Sequence, residues 1–176
     1  MPTVPPTPIP VGCEVIQGSA TVVDTYLTYD SNQDQSYDTD VDVDARPGKE
    51  TCLLHFDLGV LMPGATVTSA TLSVYSELNG GDMSFAREME DWLVTPFTSW
   101  DSRNTASMAD PWANTDPDGS YDTGSVVTVA TSKNTYIDWD VTSIVDQWVS
   151  GAETNYGFYG FPAAGSGNQR FSSCLL

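Results

Sequence analysis

A jelly-roll-type β-sandwich with one short helix is the fold this all-β sequence predicts, and three observations carry it. Short segments of alternating apolar and polar residues recur along the chain, separated by Gly, Pro and Asn. One segment breaks that rhythm: Val141, Ile144, Val145 and Trp148 fall at i, i+3, i+4 and i+7, the apolar face of a helix over about 141–150. With 176 residues, 40% hydrophobic content and five Trp, the chain can fill one sizeable core and has little left for a second. The expected organisation is a Pro/Thr-rich extended segment, 1–17, followed by a single sandwich module, 18–176.

The elements follow in order. Thr21 to Leu27 reads as the first strand and Val41 to Asp44 as the second. Within Thr51 to Leu58, Cys52, Leu54, Phe56 and Leu58 point one way, and Thr51, Leu53, His55 and Asp57 the other. The turn Pro63-Gly64 leads to a strand through Ala70, Leu72 and Val74, and Met83 to Glu90 and Val126 to Val129 continue the series. Tyr136 to Asp140 runs into the helix, which Asp140 or Thr142 can cap and Gly151 ends. Tyr156 to Phe161 and Arg170 to Leu175 close the domain. Asp38, Asp40, Asp42 and Asp44 alternate with other residues, so strand geometry gathers their carboxylates on one face. Such a row is expected to lie exposed or to guard a sheet edge.

Charge narrows the partners. Six Lys and Arg against 24 Asp and Glu leave a formal net charge of -18. That surface repels nucleic acid and anionic membranes and disfavours strongly anionic polysaccharides, while neutral ligands and divalent cations remain compatible. No apolar stretch approaches the roughly 20 residues of a membrane span, so no membrane insertion is expected. The N-terminus lacks both a basic n-region and an apolar h-region, so it does not read as a signal peptide. Cys13, Cys52 and Cys174 form no C-x-x-C pair, and His55 is the single His, which argues against structural zinc. Among the cysteines, Cys13 and Cys174 are the favoured pair, and Cys52, on the strand face of Leu54 and Phe56, is expected as a buried free thiol.

Several runs read together resemble a known family. They are Leu54-His-Phe56-Asp57-Leu58, Pro63-Gly64-Ala-Thr-Val-Thr-Ser-Ala70-Thr-Leu72, Trp92, Thr98-Ser-Trp100, Pro111-Trp112 and Gly119-Ser-Tyr121-Asp122. Trp139-Asp140-Val-Thr142, Trp148-Val-Ser-Gly151 and Asn155-Tyr-Gly157-Phe158 complete the set. In order and spacing the chain resembles the DNRLRE family of extracellular modules, which overlaps carbohydrate-binding module family 96. The resemblance covers most of residues 20 to 174 and implies a non-catalytic β-sandwich, usually secreted, within a larger polysaccharide-active or surface protein. Leu93 and Val94 stand where the family carries an acidic residue after its first Trp, and the chain has few of the basic side chains that a uronate ligand would use.

Two kinds of residue are candidates for binding. In Asp30-Ser-Asn32-Gln-Asp34-Gln-Ser36-Tyr-Asp38, oxygen donors recur at alternate positions of a loop, as a calcium ion requires. Asp30, Asn32, Asp34 and Asp38 are the candidate ligands, although Gln35 and Val41 exclude a true EF-hand. The acidic turn Asp116-Pro-Asp118-Gly119 ranks below it. Sugar rings present apolar C–H faces that pack on exposed aromatic rings. Trp112 and Tyr121, in polar turn-rich surroundings, are the first candidate platform, and Tyr29 and Tyr37, flanking the acidic loop, are the second. Trp92, Trp100, Trp139 and Trp148 are expected in the core. No nucleophile elbow accompanies His55, and the chain does not read as an enzyme.

The expected function is an extracellular or cell-surface module that binds a neutral or weakly acidic polysaccharide. The alternative is a structural or self-assembling surface module, a spacer, adhesin, filament subunit or virion surface protein, associating through its N-terminal segment.

Overall fold

The computed structural model describes residues 14–18, 20–29, 37, 42–61, 65–78, 80–93 and 120–172. Nine strands and one helix make up these residues: β1 Val22–Thr28, β2 Asp42–Ala45, β3 Glu50–Phe56, β4 Thr71–Ser76, β5 Asp82–Arg87, β6 Val127–Ala130, β7 Thr135–Asp140, α1 Thr142–Ser150, β8 Phe158–Pro162 and β9 Gln169–Ser172. They form two antiparallel sheets, a five-stranded one in the order β1-β3-β8-β5-β6 and a four-stranded one in the order β2-β9-β4-β7. Each strand that alternation predicts is present, displaced by a few residues at most.

The core lies between the sheets. Cys52, Leu54, Met83, Phe85 and Phe158 from the five-stranded sheet meet Val43, Leu72, Val74, Ile137, Trp139 and Phe171 from the other. Trp139 stands edge-on to Phe85, with ring centroids 4.8 Å apart, and its Nε1–H donates to the Met83 carbonyl at 3.1 Å. That bond crosses from one sheet to the other. Helix α1 closes one end of the core with Ile144 and Trp148, the face its period predicts. The N-cap is Val141, which has no capping side chain, rather than Asp140 or Thr142; Asp140, one residue earlier, accepts the Thr142 N–H at 3.1 Å and the Thr142 hydroxyl at 2.6 Å. Gly151 ends the helix in the left-handed region. Among the described residues no helix is long and apolar enough to cross a membrane.

A further expectation needs correction. The acidic alternation does place β2 on a sheet edge, but Asp44 is not solvated. Arg170 lies across the β2–β9 ladder from it and binds it through Nε at 2.7 Å and Nη2 at 2.9 Å, while Arg46 Nη2 approaches at 3.2 Å. Burial alone would raise the Asp44 carboxyl, but the hydrogen bonds and charges of Arg170 and then Arg46 hold it below the ordinary carboxylate range. Asp38 and Asp40 lie outside the described residues. Arg170→Met is expected to cost about 2 kcal/mol at pH 7, less than stripping a buried charge bare because Arg46 remains. Asp44's contribution is present above its ordinary value near 3.8 and disappears as pH falls through its lowered one. Urea unfolding at pH 7 and pH 3 should therefore show the deficit shrinking in acid.

The outer face of the five-stranded sheet, toward which Thr51, Leu53, His55 and Asp57 point, carries a second apolar cluster. Leu53 from that face is buried with Leu27, Tyr159 and Trp92, and Leu93, Tyr121 and Phe161 pack around them. The connection from β5 to β6 carries Trp92, Leu93 and Tyr121 over the sheet, so this sheet is apolar on both sides.

Candidate functional site

The outer cluster forms one wall of an open cleft. Strand β8 alternates Phe158 and Gly160 inward with Tyr159 and Phe161 outward, and β3 supplies Thr51 beside them. Gly160 is small because a Cβ there would stand 2.5 Å from the Phe85 ring. Tyr121 lies on Tyr159, ring centroids 4.8 Å apart and 10° from parallel, and against Phe161 at 5.0 Å. The turn Arg46-Pro47-Gly48-Lys49 between β2 and β3 forms the facing wall, and the cleft holds about 260 Å³. Tyr159 is buried, whereas Tyr121 and Phe161 are half-buried and offer ring surface to the opening.

Electrostatically the cleft departs from the rest of the molecule. Two of the chain's six Lys and Arg line it. Arg46 is engaged by Glu50 at 2.8 Å and Asp44 at 3.2 Å, so much of its charge is balanced. Lys49 is exposed and, among the described residues, makes no ion pair. A site with balanced charge, one exposed ammonium and stacked aromatic rings suits a polar, largely uncharged ligand with apolar faces.

Three anchors hold this arrangement. Asn155 donates through Nδ2 to the Phe56 carbonyl at 2.9 Å and accepts the Gly157 N–H at 3.0 Å, which sets the chain into β8. The Trp92 indole N–H donates to the Tyr156 carbonyl and so pins the covering connection to the same turn. Arg87 binds Asp122 at 2.9 Å and Glu153 at 2.5 Å, anchoring the segment that carries Tyr121. Hydrogen bonding from Arg87 holds the Asp122 carboxyl below its ordinary value.

Of these anchors, Trp92, Asp122, Asn155 and Gly157 belong to the runs that resemble a known family, and a family model matches the chain over residues 16–174, as carbohydrate-binding module family 96. The chain belongs to carbohydrate-binding module family 96. No curated protein matches it. Modules of such families bind carbohydrate, are typically non-catalytic and are commonly extracellular.

In this family 96 module the aromatic residues expected from the sequence do not gather at one place. Tyr121 is in the cleft. Tyr29, more than half exposed, lies beside the facing wall, its N–H donating to the Lys49 carbonyl, and two residues beyond Leu27 it continues the outer face. Tyr37 is elsewhere: it stacks on Tyr26, centroids 4.2 Å apart, and Tyr26 packs on the inner core. Trp112, Trp100 and the calcium candidates Asp30, Asn32, Asp34 and Asp38 lie outside the described residues, as do Cys13 and Cys174. Among the described residues no three His, Cys, Asp or Glu side chains are grouped to hold a metal. His55 is half-buried, and burial pushes its imidazole below its ordinary value.

Tyr159, Phe161, Arg46 and Lys49 were not anticipated. A signal existed in Phe158-Tyr-Gly-Phe161, where large aromatics fall on both strand faces, a pattern of a sheet covered on both sides.

Proposed function

We propose that the cleft over the outer face of the five-stranded sheet holds a neutral or weakly acidic polysaccharide. The observation that carries this reading is the stacked Tyr121–Tyr159–Phe161 cluster opening beside a Lys/Arg turn on a chain otherwise strongly acidic. At about 260 Å³ the cleft is smaller than the roughly 300–1,000 Å³ of enclosed small-molecule sites. A sugar or two of a longer chain would lie in it, the rest extending over the surface. Tyr121 and Phe161 would receive the C–H faces, and Lys49 would meet ring hydroxyls or an occasional carboxylate. The module holds no catalytic role in this reading and works outside the cell as part of a larger protein. Calcium remains proposed for Asp30, Asn32, Asp34 and Asp38, which would order the loop next to Tyr29.

Affinity electrophoresis through gels of neutral and uronate polysaccharides, each with calcium and with chelator, tests both proposals. Retardation by one glycan is expected, and its loss with chelator would bring calcium into the mechanism. Tyr121→Ala should weaken that retardation about tenfold, equivalent to about 1.4 kcal/mol, whereas Tyr37→Ala should leave it unchanged. Unaltered binding by the Tyr121 variant would remove the cleft as the site.

A further inference from the structure

Tyr121 belongs to no long strand. Among the described residues a bridge to the end of β5 positions it, in which the Met89 N–H donates to the Ser120 carbonyl and the Asp122 N–H to the Arg87 carbonyl, both at 2.9 Å. Arg87 secures the Asp122 end of that bridge. Glu88 is the residue bridged to Tyr121, and its side chain, with no exposed surface at all, reaches the Ser120 end. One carboxyl oxygen of Glu88 accepts the Ser120 hydroxyl at 2.8 Å; the other accepts the N–H groups of Met89 at 3.0 Å and Glu90 at 2.9 Å. Ser120 is equally buried. A buried carboxyl costs desolvation that an apolar side chain would avoid, and here no cation stands opposite it among the described residues.

We propose that Glu88 is the positioning residue of the cleft: by holding Ser120 it sets the adjoining Tyr121 ring against Tyr159 and Phe161 and so fixes the shape of the glycan-binding wall. The proposal rests on the cleft being the glycan site. Its chemistry also makes the clamp sensitive to pH. Burial pushes the Glu88 carboxyl up to about 7, with the charge of Glu90 adding to the effect and hydrogen bonds from Glu90, Ser120 and Met89 opposing it. Nothing else charged faces it among the described residues: Asp122 is turned to Arg87, and the chain entering β8 meets Glu88 through the Gly157 carbonyl. For a carboxyl raised in the closed form, the closed form is favoured in acid. That preference is lost as pH climbs from the ordinary value of 4.5 through about 7. Above that pH an ionised Glu88 is better solvated with the bridge open.

Hydrogen-exchange protection of the Met89 and Asp122 amides, measured by NMR together with glycan retardation, separates this role from general packing. Glu88→Leu should lower protection of both bridge amides at least tenfold relative to the β4 and β7 amides, and weaken retardation at least fivefold. Ser120→Ala, which removes the same bond from the other side, should reproduce both losses. It keeps the test open if the Leu variant does not fold. Glu88→Gln can accept the same N–H groups and should stay within twofold of wild type on both readouts at pH 7. It should also abolish the wild type's fall in bridge protection between pH 5.5 and pH 8.5. Lost protection with unchanged retardation would overturn the positioning role, as would a Gln variant no better than Leu. If the wild type binds no glycan, the cleft reading fails and the positioning role with it; lost bridge protection would then still show that Glu88 holds the bridge.

Discussion

Trp139→Ala is expected to cost about 4 kcal/mol, near the upper end for truncating a buried aromatic and enough to consume much of a small domain's stability. Trp139 is fully buried in β7 and touches both sheets, edge-on to Phe85 at 4.8 Å and to Phe171 at 6.2 Å. The neighbours are strand residues held by ladders on either side, so they cannot collapse into the space, and a cavity remains. The Nε1–H bond to Met83, which links the sheets, goes as well. Trp139→Phe keeps a ring in place and loses the donor and part of the volume, so its cost should be about 2 kcal/mol. Urea unfolding measures both. Equal losses in the two variants would show that the cross-sheet hydrogen bond, rather than volume, dominates.

Gly157→Ala should cost about 3 kcal/mol, an unusually large effect for one added methyl group. Gly157 has φ +88°, where a side chain is strained, and its missing Cβ would run into the Leu54 carbonyl oxygen. That carbonyl lies in β3, fixed by β1 and β8, so relief requires separating β8 from β3 at its first pair, Leu54 with Phe158. The same movement disturbs the Glu88 N–H bond to the Gly157 carbonyl. Gly165→Ala is the control: its φ of +85° is equally unfavourable, but nothing lies within 4 Å of the added Cβ. A cost of about 1 kcal/mol is expected there. The difference between the two variants in denaturant midpoints isolates the close approach from backbone strain. If Gly165→Ala costs as much as Gly157→Ala, the contact with Leu54 carries no weight.

That contact also explains part of the Asn155-Tyr-Gly157-Phe158 run. Its order is legible as a motif, but its cause lies in β3: Asn155 reaches Phe56, Gly157 clears Leu54, and Phe158 enters the core. Strand order could not be read in the same way. Alternation shows that Cys52 and Leu54 share a face, yet it does not reveal that β8, a hundred residues away, pairs beside them. Of the binding candidates, Tyr121 lies in the cleft, and it stood out in the sequence as an aromatic ring in a turn-rich run. Tyr37 stood in similar surroundings and stacks on Tyr26 instead, since the partner of a loop aromatic is chosen by the fold.

The sequence by itself determined the periods, and through them the strands, the helix face of Ile144 and Trp148, the Gly151 stop and the acidity of the surface. These depend on residues a few positions apart, whose geometry relative to one another is set by the backbone. Only the tertiary structure decided that Asp44 is buried between two arginines, that the outer face of one sheet is covered, and that residues near 46–51, 121 and 159–162 meet around a cleft. Those results depend on which distant segments pair and in what register. A local pattern leaves each of these choices open, and close packing between the sheets settles them.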